Sequence, residues 1–130
     1  MQMISGVVLV IDDEKPVLEA IREILEFQGL QVLQAENGRL GLALYKEHHQ
    51  DVDLVILDWS MPEMNGAETF VALCEYDPDV RVILSSGYSE KVAATDFSKR
   101  QFVGFLQKPY NLSTLIEVVR QQFSSKLDDL

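Results

Sequence analysis

Three stretches of this chain, Val7–Ile11, Leu54–Leu57 and Val82–Leu84, are apolar without interruption, and a fourth, Phe102–Leu106, is broken only by Gly104. A strand with one wet face alternates polar and apolar residues, so a run without polar residues implies cover on both faces. A fifth run, Gln31–Ala35, is more polar and suits a sheet edge. Between the runs lie helical patterns. Pro16 fits a first helical turn and is followed by Val17, Leu18, Ile21, Ile24 and Leu25 at helical spacing. Asn37 can cap a second helix carrying Leu40, Ala43 and Leu44, and Asn65 with Glu68 marks a helix start ahead of Phe70, Leu73 and Cys74. Asn111 can cap a last helix with the stripe Leu112, Leu115, Ile116, Val119 and Phe123. Segment 89–100 has only Val92 and Phe97 as substantial anchors, which predicts a short, loosely held fourth helix. Alternating strands and helices imply parallel pairing through right-handed crossovers. The expected fold is therefore α/β, a doubly wound five-stranded parallel sheet with helices on both faces.

A chain of 130 residues is one domain's worth, large enough to bury a self-sufficient core. Its 21 acidic residues against 11 basic ones give a net charge of −10. Such a surface repels phosphate backbones and anionic headgroups, so neither direct nucleic-acid binding nor membrane insertion is expected of this domain. Val7–Ile11 is too short for a signal-peptide core or a membrane span. Cys74 is the only cysteine and cannot form an internal disulfide; it reads as core filling, and the expected location is cytoplasmic.

Doubly wound sheets carry their functional groups just beyond the C-terminal ends of the strands. Here the first strand runs into Asp12-Asp13-Glu14, the third ends in Asp58, the fourth in Ser85-Ser86, and the fifth leads into Lys108-Pro109. Taken singly, each has an ordinary explanation: a solvated helix start, a cap, a turn. Their joint occurrence at four strand ends is what signals a site. If these strands are neighbours, three carboxylates converge and repel one another unless a cation intervenes. Hard oxygen ligands select Mg²⁺, with Mn²⁺ the expected substitute. Lys108 adds a positive charge and Ser85 a hydroxyl donor, a combination suited to moving a phosphoryl group onto a carboxylate.

The stretches Val7–Glu14, Leu57–Gly66 (with Asp-x-x-Met-Pro-x-Met-x-Gly from Asp58), Ile83–Tyr88 and Gly104–Tyr110 resemble the receiver domains of two-component response regulators. The resemblance runs from about residue 4 to 123, which delimits a receiver domain at 4–123 and a C-terminal tail at 124–130. It implies strand order 2-1-3-4-5 in the flavodoxin-like receiver fold. It also implies that Asp58 is the phosphoacceptor and that Lys108 binds the phosphoryl group. Mg²⁺ would be held by Asp12, Asp13, Asp58 and the backbone carbonyl of Ser60, directly by Asp13 and partly through water by Asp12. Ser85 is the implied switch hydroxyl, in place of the commoner threonine, and Phe105 the switch aromatic. Ser60 and Gly87 stand at positions that influence acyl-phosphate lifetime in the family. The implied partner is a histidine kinase or a histidine phosphotransfer domain. A homodimer could form through segment 89–100, the fifth strand and the last helix. The wording of the fourth and fifth motifs is similar to receivers attached to hybrid sensor kinases.

Three rivals share parts of this pattern. A haloacid-dehalogenase-type phosphatase needs a second acid two residues after its nucleophile, where this chain has Ser60. A flavin-binding flavodoxin would place a Ser/Thr/Gly phosphate loop where Asp12-Asp13-Glu14 stands. A docking module that works without phosphorylation is the remaining alternative. Among other candidates, His48-His49 ends the second helix and is expected to face water, while Asp51 and Asp53 precede the third strand, at the opposite edge from the acids. Trp59 is expected at the rim of the site, and Met64 and Gly66 in loop geometry.

Overall fold

The computed structural model describes residues 3–61, 64–87 and 102–123. Five strands, β1 (Val7–Ile11), β2 (Gln31–Ala35), β3 (Leu54–Asp58), β4 (Val82–Ser86) and β5 (Gly104–Gln107), form one parallel sheet in the order β2-β1-β3-β4-β5. The more polar Gln31–Ala35 run is an edge strand, as expected. Four helices are described: α1 (Lys15–Phe27), α2 (Gly38–His48), α3 (Gly66–Tyr76) and α4 (Leu112–Gln121). The helix expected over 89–100 lies outside the described residues.

Strand alternation divides the core into two layers. Val8, Val10, Leu54, Ile56, Ile83 and Leu106 pack with Leu18, Ile21 and Leu25 of α1 and with Leu115 and Val119 of α4. Leu9, Ile11, Val55, Leu57 and Val82 pack on the other face with Tyr45 of α2 and with Phe70 and Leu73 of α3. The caps read from sequence are in place: Asn37, Asn65 and Asn111 accept from the backbone N–H of Leu40, Glu68 and Thr114 at 2.8, 2.9 and 2.8 Å. Cys74 packs half-buried against the second layer.

The seating of α2 differs from the expected stripe. Leu40 is 49% exposed and Ala43 is exposed, whereas Gly41 and Tyr45 are buried. A Cβ on Gly41 would strike the Ile11 side chain. The helix therefore turns its glycine to the sheet and closes in, and Tyr45 reaches over to donate to Asp77 at 2.6 Å. Hydrophobicity alone points to the leucines; the close approach selects the residue with no side chain. His49, half-exposed, also stands edge-on to Tyr76 at 5.3 Å between rings.

Gly41→Ala gains helix propensity of about 1 kcal/mol but forces Ile11 to move, so we expect a net loss of about 1–3 kcal/mol in urea unfolding. A Cβ added to Gly87 would meet nothing within 4 Å, and the backbone there is not left-handed, so Gly87→Ala is expected to leave the stability within about 0.5 kcal/mol of wild type.

Candidate functional site

Alternation also builds the site. Asp12 lies two residues past Val10, Asp58 two past Ile56, Ser85 two past Ile83 and Lys108 two past Leu106, all on the α1–α4 side of the sheet. The register sets Asp58 directly opposite Ser85, and Ile11 opposite Leu57, so that Asp12 and Asp58 leave adjacent strands at one level. The backbone N–H of Trp59 donates to the Ser85 carbonyl at 2.8 Å, extending the β3–β4 pairing past the acid.

Asp12, Asp13 and Asp58 each place a carboxylate oxygen within 4.8 Å of the others. Asp12 and Asp58 are 2% and 3% exposed, while Asp13 is open to solvent. Lys108 reaches both buried acids, with Nζ at 3.0 Å from Asp12 Oδ2 and 3.3 Å from Asp58 Oδ1. Asp12 also accepts from the backbone N–H of Glu14 at 2.9 Å, which ties it to the start of α1. The backbone N–H of Ser60 makes a long 3.4 Å contact with Asp58 Oδ1.

Among the described residues of the cluster, three acids face one lysine, which when all are ionised leaves two negative charges in excess, the charge of one divalent cation. An all-oxygen donor set of this kind, open to solvent on one side, fits Mg²⁺ better than it fits a softer metal. Without a cation the carboxylates repel one another. Burial and then the charge of Asp12 push the Asp58 carboxyl up to about 7, against the lowering influence of Lys108. Burial alone would lower Lys108, but its hydrogen bond to Asp12 and the charges of Asp12 and Asp58 hold it above its usual value.

The Ser85 side chain is 1% exposed, and its Oγ has no hydrogen-bond partner among the described residues. Phe105 sits half-buried on the edge strand β5, in register with Leu84. Trp59 is half-buried at the rim with its ring edge-on to Phe102 at 6.2 Å, as its sequence position suggested. Gly66 seats the loop: a Cβ there would meet Asp58 O at 2.6 Å and Trp59 O at 2.8 Å. Asp53 belongs to the opposite edge, where its Oδ2 accepts from the Val7 N–H at 2.9 Å.

One residue near the site was not singled out from sequence. Tyr110 lies two positions beyond Lys108 and packs against the α1–α4 layer, and its hydroxyl is buried. Burial holds its phenol above the usual value, so the group stays protonated. An aromatic two residues after a lysine carries no signal by itself; only the packing brings its hydroxyl to the site. Between α1 and α4 an apolar groove of about 580 Å³ opens beside Lys108, lined by Pro16, Val17, Ala20, Ile24, Pro109 and Leu112 among others.

The sequence pattern of the response regulator receiver domain matches residues 8–120. The chain is 32% identical over 122 residues to the sensor kinase CckA of Brucella abortus, covering 94% of this chain and 13% of that protein. It is 30% identical over 115 residues to the chemotaxis protein CheY of Bacillus subtilis, covering 88% of this chain and 94% of that one. Among solved structures, the response regulator protein TrrA from Thermotoga maritima, in complex with Mg²⁺ and BeF, superposes with a TM-score of 0.76 at 32% identity. That match covers 90% of this chain and 98% of that one.

The raised Asp58 carboxyl makes a signed prediction for metal-free protein. Between about pH 4 and 7 the folded state keeps a proton that the unfolded chain has released, so stability falls as pH rises through this window. Asp58→Asn removes the penalty. In chelator at pH 8 the variant should be about 1–3 kcal/mol more stable than wild type, and near pH 4 the difference should vanish. Equal unfolding free energies at both pH values would contradict the charge repulsion.

A second measurement follows from Trp59 at the rim. Its fluorescence should change on Mg²⁺ titration without any phosphate, and the change should be lost in Asp13→Ala.

Proposed function

The chain belongs to the response regulator receiver domain family of two-component systems, and from that membership we propose that it takes a phosphoryl group from a partner phosphohistidine onto Asp58. The observation that carries the proposal is the pairing of a buried, strand-end Asp58 with Lys108 at 3.3 Å inside the acidic cluster. Asp58 Oδ attacks phosphorus, the phosphorus–nitrogen bond of the phosphohistidine breaks, and the histidine nitrogen keeps the electron pair. Lys108, already between the two buried acids, offsets charge on the phosphoryl oxygens. Ser85, directly across from Asp58, has a hydroxyl free to donate to one of them. Mg²⁺, when held by Asp12, Asp13, Asp58 and the Ser60 carbonyl, supplies the remaining positive charge at this site; Mn²⁺ has the same preference for oxygen and is the expected substitute.

The partner is a histidine kinase or a histidine phosphotransfer domain. The apolar groove between α1 and α4 is the proposed docking place, since it opens at Lys108 and leaves Leu112 55% exposed. The aspartyl phosphate carries nearly two negative charges at neutral pH and draws Ser85 inward. Phe105, half-buried on the edge strand, fills the space released. The altered surface includes β5 and α4, and a homodimer or an effector would bind there; the part expected of segment 89–100 lies outside the described residues. Self-catalysed phosphorylation from small donors and slow hydrolysis of the aspartyl phosphate belong to the same proposal. So do a domain spanning 4–123 with a tail at 124–130, and a cytoplasmic setting. Among the described residues no helix is long and apolar enough to cross a membrane.

Intact mass after incubation with acetyl phosphate and Mg²⁺ tests this directly. Wild type should gain one phosphoryl group, and Asp58→Asn none. Lys108→Ala should gain it slowly, by about 10²-fold or more, and lose the amide-exchange changes at 83–87 and 104–110 that beryllofluoride induces in wild type. Full labelling of Asp58→Asn would overturn the assignment. No labelling of wild type would favour a docking module that works without phosphorylation.

A further inference from the structure

Two hydroxyls at the site are buried without a hydrogen-bond partner among the described residues, Ser85 Oγ and the Tyr110 hydroxyl. The Tyr110 hydroxyl reaches toward Ser85, near enough to interact with it, without closing a hydrogen bond. Ring packing alone does not account for this arrangement. Tyr110 contributes its ring to the α1–α4 layer, and phenylalanine would fill the same space without burying an unpaired polar atom. The polar atom is therefore a cost in the resting state that some other state can repay.

Donor arithmetic identifies that state. A serine hydroxyl has one proton and two acceptor sites. When Ser85 gives its proton to a phosphoryl oxygen, its Oγ remains free to accept. Tyr110 has a proton to give, and burial keeps its phenol neutral. We propose that Tyr110 is a positioning residue for the phosphorylated state: its hydroxyl donates to Ser85 Oγ while Ser85 donates to a phosphoryl oxygen on Asp58. Both buried hydroxyls are then satisfied at once, in a chain where each hydrogen bond polarises the next. The relay favours the conformation with Ser85 drawn inward, and it connects the phosphoryl group to the loop between β5 and α4. It is a property of this chain's tyrosine and rests on the reading of Asp58 as phosphoacceptor.

Tyr110→Phe keeps the ring and removes the hydroxyl. Binding of Mg²⁺ alone and of beryllofluoride with Mg²⁺ is followed through Trp59 in the full chain, alongside thermal unfolding without ligand. The variant should bind Mg²⁺ as wild type does and melt no earlier. Its beryllofluoride affinity should be about five- to tenfold weaker, a difference of about 1.0–1.4 kcal/mol. Ser85→Ala should weaken beryllofluoride too, and adding Tyr110→Phe to it should bring no further loss, because the relay is already cut. Wild-type beryllofluoride affinity in Tyr110→Phe, or losses that add, would refute the relay. A lower melting midpoint with an equal loss of Mg²⁺ affinity would mark a merely structural role and refute it as well. If wild type itself takes no beryllofluoride, the phosphoacceptor reading falls first and the relay with it.

Discussion

Parallel pairing in the register that sets Asp58 across from Ser85 governs both halves of this molecule. Residues at one parity on β1, β3, β4 and β5 supply the α1–α4 core layer. The same parity carried two residues further supplies Asp12, Asp58, Ser85 and Lys108. A slip of one residue in any central strand would turn a functional group to the other face and expose part of the core. The hydrophobic layers thus hold the site in place, and the site needs no separate scaffold.

What the layers hold together is unfavourable by itself. Among the described residues, two carboxylates are nearly fully buried with a third beside them and one lysine between. The sheet and its two apolar layers provide the stability that this repulsion withdraws, and Lys108 recovers part of it. Repulsion of this kind is what a divalent cation would relieve, and on the proposed reading a phosphoryl group would then add charge for Lys108, Ser85 and the cation to meet. The hydroxyls of Ser85 and Tyr110, unpaired among the described residues, extend the same logic from charge to hydrogen bonding. In each case a group is left unsatisfied at rest, which is the cost that the proposed occupied state would remove.

Close approach of backbone decided the features that patterning could not foresee. Gly41 brings α2 down onto Ile11, and Gly66 lets the start of α3 approach Asp58 and Trp59 closely. Leu40 and Ala43 satisfied the helical period and still lie at the surface, because the period names a stripe but not which side of it wins the contact. Likewise, His49 stands against Tyr76 only because α2 and α3 are neighbours on one face.

The strands, the caps and the acids were legible in the order of residues. Continuous apolar runs demand cover on both faces, Asn37, Asn65 and Asn111 satisfy local backbone donors, and Asp12, Asp13, Asp58, Ser85 and Lys108 stand at the strand ends; all of these are short-range properties that spacing records. Distances between those residues were not legible, since the strands come from separated parts of the chain and only pairing order and register bring them together. It took the assembled fold to make Lys108 bridge Asp12 and Asp58, to turn Gly41 of α2 to the sheet, and to bring the Tyr110 hydroxyl beside Ser85. The physical reason is that burial and desolvation belong to the assembled neighbourhood of a group, and no residue carries its neighbourhood in its own identity.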